Sequence, residues 1–318
     1  MLFAILKFPA RLALWIYCKS IRINKKEMLD SKGPLLIAAN HPNSFLDAII
    51  LATIFKKPIY SLARGDAFSG GFISRLLYAM NILPVYRISE GAENLNSNYD
   101  TFSKCKEIFM KGGIVLIFSE GLCINEWKLR ALKKGTARLT LDSWQEGIDL
   151  QVLPTGINYH SFFSFGKHVH INFGNIITRN DFSHPKLNGF YVNDFNTKLK
   201  NELLALVDHY DEDKKEEIKE KYVIDAKPVQ QYILSIPAFF GKWIHAPLYI
   251  PVRHISLKKA APFCHHDSVV VGLLFILYPA YLLLIASLIS AAFGHWFGLA
   301  ILVALPVMAW AFVKTKKD

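Results

Sequence analysis

Between Ser268 and Val313 the chain carries no Asp, Glu, Lys or Arg. About 20 apolar residues suffice to cross a bilayer as a helix. The uncharged run therefore predicts two spans, with Gly294-His295-Trp296-Phe297-Gly298 as the turn and Trp296 at headgroup depth. Acids are also missing before Glu27, while Lys7, Arg11, Lys19, Arg22, Lys25 and Lys26 are present. Leu2 to Cys18 is apolar and aromatic, but Lys7, Pro9 and Arg11 interrupt it and no small-residue cleavage site follows, which argues against a secretory signal. This composition predicts a helix lying in the interface over anionic lipid. Cysteine is scarce. Cys18, Cys105, Cys123 and Cys264 show no paired spacing, so no disulfide framework is expected and the thiols are expected to be reduced, facing the cytoplasm.

What is present is apolar and basic. Of 318 residues, 52% are hydrophobic and 20% charged. That hydrophobicity excludes a disordered chain, and that much charge argues against a polytopic transporter. Lys plus Arg number 37 against 26 Asp plus Glu, for a net charge of +11. The bases flank apolar segments, with Lys258 and Lys259 before the uncharged run and Lys314, Lys316 and Lys317 after it. This bias predicts an integral membrane protein with both hairpin ends and its folded domain on the cytoplasmic face. No separate basic patch points to nucleic acid.

Between the two apolar segments, strand-like and helix-like stretches alternate. Strands are expected at 34–39, 59–62, 113–118, 150–153 and 168–173, and helices at 44–55, 74–80, 99–110, 135–145 and 194–210. The alternation predicts an α/β domain whose central sheet, mixed but mostly parallel, is covered by helices. The expected division is residues 1–26 as the interface helix and 27–210 as the α/β domain. Residues 211–267 would be a charged linker with an irregular, proline-broken amphipathic connector, and 268–313 the transmembrane hairpin.

In such folds ligands bind beyond the carboxyl ends of the strands. There the sequence reads Asn40-His41-Pro42-Asn43-Ser44-Phe45-Leu46-Asp47 after the first expected strand, Ser119-Glu120-Gly121 after the third and Pro154-Thr155-Gly156 after the fourth. A neutral imidazole takes a proton from an alcohol when a carboxylate fixes its tautomer. Pro42 keeps the chain out of helix, and Asn43 or Ser44 is suited to cap the helix that follows. That places Asp47 in the first turn, facing back toward His41. Cys264-His265-His266-Asp267 has metal-capable side chains but no second cluster, so no metal is expected.

Taken together, these segments resemble the phospholipid/glycerol acyltransferase family over roughly residues 35–173. The family pattern is Asn-His, four residues, Asp; here five residues separate His41 from Asp47, as in a branch variant. Leu83-Pro84-Val85-Tyr86-Arg87 is similar to the second motif, which ends in Arg. Phe118-Ser119-Glu120-Gly121-Leu122-Cys123 keeps the Glu-Gly of the third but has Cys123 where the family has Arg. Lys134-Gly135-Thr136-Ala137-Arg138 is similar to the segment that follows it, and Val152-Leu153-Pro154 to the fourth motif.

The resemblance implies transfer of an acyl chain from acyl-CoA or acyl-carrier protein to a hydroxyl of glycerol phosphate or lysophosphatidate in phospholipid synthesis, without a cofactor. It implies His41 as general base and Asp47 as its orienting partner. Arg87 would meet the acceptor phosphate, and Glu120 would hold the acceptor or the phosphate-binding arginines. Gly121 would allow close approach, with Arg64, Arg130, Lys134 and Pro154 around the substrate and Arg130, Lys128 or Arg64 replacing the missing arginine. The partners implied are the bilayer, the thioester donor and a glycerophosphate or lysolipid acceptor. Alternatives are O-acylation of another lysolipid, such as an amino-acid lipid, or a non-catalytic lipid-binding protein on the same fold. A hydrolase using Ser44 lacks a nucleophile-elbow pattern.

Overall fold

The computed structural model describes residues 2–68, 70–86, 95–183, 187–210, 215–222 and 228–316. The chain opens with helix α1 (Leu2–Tyr17) and strand β1 (Cys18–Ile23). A βα alternation follows: β2 (Leu35–Ala39), α2 (Ser44–Ile54), β3 (Ile59–Arg64), α3 (Gly71–Ala79), β4 (Ile82–Val85), α4 (Leu95–Met110), β5 (Ile114–Phe118) and α5 (Gly135–Gln145). β6 (Gln151–Tyr159), β7 (Lys167–Phe173), α6 (Gly189–Leu206) and α7 (Lys215–Tyr222) complete the domain. The chain ends in α8 (Pro228–Lys259), α9 (His266–Phe293) and α10 (His295–Thr315).

The seven strands are ordered β1-β7-β6-β2-β5-β3-β4. β2 to β6 run parallel to one another, β7 lies antiparallel to β6, and β1 is parallel to β7. The mixed, mostly parallel sheet is thus as expected, with an extra edge strand at Cys18–Ile23 where an interface segment was expected. β2 sits at the centre and is buried on both faces, so its residues read as a continuous apolar run. Leu35, Ile37 and Ala39 pack with Leu46, Ile50 and Leu51 of α2, Leu14 and Tyr17 of α1, and Val270 and Val271 of α9. Leu36 and Ala38 pack on the other face with Phe109 of α4, Trp144 of α5 and Phe195 and Leu199 of α6.

Strand direction fixes what meets at the edge where β2, β3, β5 and β6 end. Because β7 and β1 run the other way, their first residues, Lys167 and Cys18, come to this same edge, together with Tyr17 at the close of α1. The start of α9 and the end of α10 attach here as well. Lys314 and Lys19 bond each other's neighbourhood, the first to the Lys19 carbonyl and the second to the Lys316 carbonyl at 2.8 Å. α9 and α10 are each long and apolar enough to cross a membrane, and the turn between them is Gly294.

The connector expected to be irregular is instead the continuous helix α8, which carries Pro237, Pro247 and Pro251 within it. It packs along α10 and α9, with Pro247 and Pro251 exposed. The contact is close: a Cβ at Gly241 would lie 2.2 Å from the Met308 carbonyl oxygen, so only glycine lets these two backbones approach.

Candidate active site

The segment leaving β2 is tied down before it turns. Asn40 is buried and pairs with Ile157 in both directions, its amide donating to the carbonyl at 3.0 Å and its oxygen accepting the N–H at 2.7 Å. His41 follows, with its backbone N–H donating to Glu120 Oε2 at 2.8 Å and its ring stacked on Phe118, centroids 3.7 Å apart. Its side chain is 18% exposed. Asp47 is fully buried in the first turn of α2, and its Oδ2 lies 2.9 Å from His41 Nδ1.

The remaining partners of Asp47 are donors too. Asn43 N–H reaches Oδ2 at 2.8 Å and the Tyr159 hydroxyl reaches Oδ1 at 2.7 Å. Burial, and then the Asp47 charge, holds the Tyr159 phenol well above its ordinary range, so it remains a donor. A carboxylate that only accepts requires His41 Nδ1 to carry the proton, which leaves Nε2 as a proton acceptor.

The five-residue spacing is accommodated at Ser44, whose φ of +49° is left-handed. A residue with a Cβ pays roughly 1–2 kcal/mol for this, so neighbours must hold it. Its N–H donates to Cys123 Sγ at 2.9 Å and its hydroxyl lies 2.6 Å from His265 Nδ1, not against His41. Asn43 occupies the N-cap position, but its side chain makes no capping bond. Its amide donates instead to Asp267 Oδ2 at 2.6 Å.

Glu120, expected to hold the acceptor or its arginines, is buried with both oxygens committed to backbone: Oε2 to His41 N–H and Oε1 to Arg130 N–H at 2.7 Å. Burial raises its carboxyl above the ordinary value, and these two N–H groups oppose the shift. It therefore clamps the His41 loop to the 120–133 loop. Gly121 takes φ +63°, and a Cβ there would lie 2.9 Å from Lys133 Cγ. Cys123 is the acceptor for Ser44, and burial pushes its thiol up.

Arg64 ends β3 and pairs with Asp66, Nε to Oδ1 at 3.0 Å. Arg130 Nη1 pairs with Glu126 at 3.0 Å, and Lys128 with the same carboxylate at 3.3 Å. Lys134 is exposed at the N-cap position of α5. Arg87 lies outside the described residues. Pro154 is a correction: it is buried within β6, in register with Ala38, five residues short of the strand end. Its carbonyl accepts from Gly174 N–H at 2.9 Å, just past the end of β7. The missing proline N–H thus falls where β7 pairing stops, and the strand runs on.

Several groups at the site were not anticipated. Tyr159 shares strand parity with Leu153 and Ile157, which face the α2 side; reading β6 past Pro154 would have pointed it at Asp47. Asp267, in the first turn of α9, is fully buried and accepts from Asn43, from the Tyr17 hydroxyl and from the equally buried Lys167 ammonium.

A histidine–carboxylate pair at the carboxyl edge of this sheet suits proton transfer from an alcohol. Residues 20–158 match the Acyltransferase family. The match spans the stretch of the α/β domain that holds His41, Asp47 and Glu120. The solved structure of the 1-acyl-sn-glycerophosphate (LPA) acyltransferase PlsC from Thermotoga maritima is similar at 15% identity and a TM-score of 0.47, over 70% of this chain and 80% of that one. No curated protein matches.

Proposed function

We propose that the protein is a membrane-bound O-acyltransferase that moves an acyl chain from acyl-CoA or acyl-carrier protein to a hydroxyl of lysophosphatidate or glycerol phosphate. The observation that carries this reading is the His41–Asp47 pair, whose donor pattern leaves Nε2 ready to accept a proton. In the reaction, Nε2 takes the hydroxyl proton while the oxygen attacks the thioester carbonyl. Asp47 stabilises the imidazolium that forms. The tetrahedral intermediate collapses, the C–S bond breaks, and the leaving thiolate recovers the proton from Nε2. The thioester supplies the leaving group, and the scheme takes no cofactor beyond the donor.

The cations Arg87, Arg64 and Arg130 are assigned to the acceptor phosphate, because a guanidinium fork matches phosphate oxygens. Cys123, standing where the family has an arginine, bonds Ser44. The phosphate role of that arginine is therefore assigned to Arg130 or Arg64. The His41–Asp47 loop lies against the start of one of two helices long enough to cross a membrane, so an insoluble acceptor and product need not cross water. The basic flanks favour a cytoplasmic catalytic face.

The test is purified protein in phosphatidylethanolamine/phosphatidylglycerol vesicles with labelled acyl-CoA, acyl-carrier protein and a panel of acceptors. His41→Ala is expected to lower transfer by about 10²–10⁴-fold while the protein stays folded and inserted. Activity surviving that change would remove the general base from the scheme. Arg130→Ala is expected to raise the acceptor KM; an unchanged value would leave Arg64 or Arg87 with the phosphate.

A further inference from the structure

The start of α9 does more than begin a membrane helix. His265, just before it, and Asp267 in its first turn hold the two residues that bend the His41–Asp47 loop: His265 Nδ1 lies 2.6 Å from Ser44 Oγ, and Asp267 Oδ2 accepts Asn43 Nδ2 at 2.6 Å. Asn43 in turn gives its N–H to the Asp47 oxygen that faces His41. Asp267 is itself fixed from two further directions, by Tyr17 at the end of α1 and by Lys167 at the start of β7. We propose that His265 and Asp267 are positioning residues for acyl transfer: they hold the Asn43–Ser44 turn so that Asp47 meets His41, which makes the seating of the hairpin on the domain a condition of catalysis.

Four observations bear on this. The turn is one residue longer than the family spacing and passes through a left-handed serine, so its shape depends on outside contacts. The Asn43 side chain gives up its local capping bond to reach Asp267. His265, itself exposed, turns its Nδ1 to the Ser44 hydroxyl at 2.6 Å and so faces the site. Asn43 and Ser44 are both buried, which matches a role acting through Asp47 and not on substrate. Misplacement of a catalytic group by about 1 Å costs on the order of 10²-fold in rate.

The inference rests on the acyltransferase reading, and the experiment separates the two. Full-length wild type, His41→Ala, His265→Ala, His265→Asn, Asp267→Asn and Trp296→Ala are compared in the same vesicles. His265→Ala and Asp267→Asn are expected to lower kcat about 10–100-fold with both KM values within twofold, and His265→Asn, whose amide still reaches Ser44, to recover most of the loss. Independently of activity, the downfield Nδ1 proton signal of His41, seen by NMR on histidine-labelled protein, is expected to weaken or move in His265→Ala while the melting temperature holds. Trp296→Ala, at the outer turn, is expected to match wild type in both.

Should Asp267→Asn fail to fold, because it leaves Lys167 buried without its partner charge, His265→Ala and Ser44→Ala carry the test. Unchanged kcat together with an unchanged His41 signal in those variants overturns the proposal, and so does a raised KM at constant kcat, which would make His265 a substrate contact. If wild type transfers no acyl group the acyltransferase reading fails, and if His41→Ala still transfers one the general-base assignment fails; in both cases the NMR comparison still decides the positioning role.

Discussion

At its inner end the hairpin carries His265 and Asp267, which reach into a buried polar network, and Lys314 and Lys316, which bond the carbonyls of Lys19 and Phe165. Around Gly294 at its outer end, Phe293, Trp296 and Phe297 stand exposed with no such partners among the described residues. One end lies just outside the uncharged run and is bound to the His41–Asp47 loop, while the other lies within the run and presents apolar surface suited to lipid. Apolar periodicity does not distinguish them. The difference lies in the polar residues just outside the run and in what the sheet brings beside them.

The most severe way to break this comparison is at Lys167. With both partners fully buried, Lys167→Met leaves Asp267 as an uncompensated charge and is expected to cost about 3–5 kcal/mol. Adding Asp267→Leu is expected to restore most of that stability but not activity. Thermal denaturation in detergent and acyl transfer in vesicles measure the two separately. If the single and double variants melt alike, the inner end is no more specialised than the outer.

Between the ends, Gly241→Leu drives a side chain into the Met308 carbonyl. Overpacking of this kind costs about 1–3 kcal/mol, and it is expected to loosen α8 from α10. Melting should fall more than kcat, because the substitution acts at the α8–α10 contact. A kcat loss exceeding the stability loss would show that the inner end senses the whole three-helix bundle.

Much of this was legible in the sequence, for identifiable reasons. β2 and β5 are short continuous apolar runs, α5 matches its expected limits of 135–145, and His41 and Asp47 are close enough in sequence for turn and helix geometry to bring them together. Glu120 was legible as a site residue, but its use as a two-loop clamp depends on where the 120–133 loop returns. Tyr159 was hidden because a proline was read as the end of a strand. Lys167 and Asp267 are 100 residues apart, each an isolated charge whose meaning comes from the antiparallel turn of β7. An acid immediately before an uncharged run was the one local sign that α9 starts inside the protein.

A smaller effect tests the inner end through pH. The folded-state pKa of His265 lies below the ordinary value of about 6.5, so the unfolded chain binds its proton more readily than the folded one does. Its contribution to stability is complete above about pH 6.5 and is lost as the pH falls through the lowered folded value. The wild-type melting temperature should therefore decline below pH 6.5 more steeply than that of His265→Asn, which has nothing to titrate. Parallel curves would assign the acid sensitivity elsewhere.

The smallest expected effect belongs to the outer end. Trp296 is 84% exposed in the chain itself, so Trp296→Ala removes almost no internal packing and should change detergent stability by less than about 0.5 kcal/mol. An indole at headgroup depth gains from an interface that is apolar on one side and wet on the other. Its loss should appear only in lipid, as a blue-shifted Trp emission signal that disappears in the variant and a hairpin turn more accessible to a water-soluble quencher. Measured against Lys167→Met in the same vesicles, the pair sets the scale of the contrast. A Trp296→Ala protein that melts several degrees lower in detergent would mean that the outer end, too, is held by protein contacts, and the division between a gripped end and a lipid-facing end would fail.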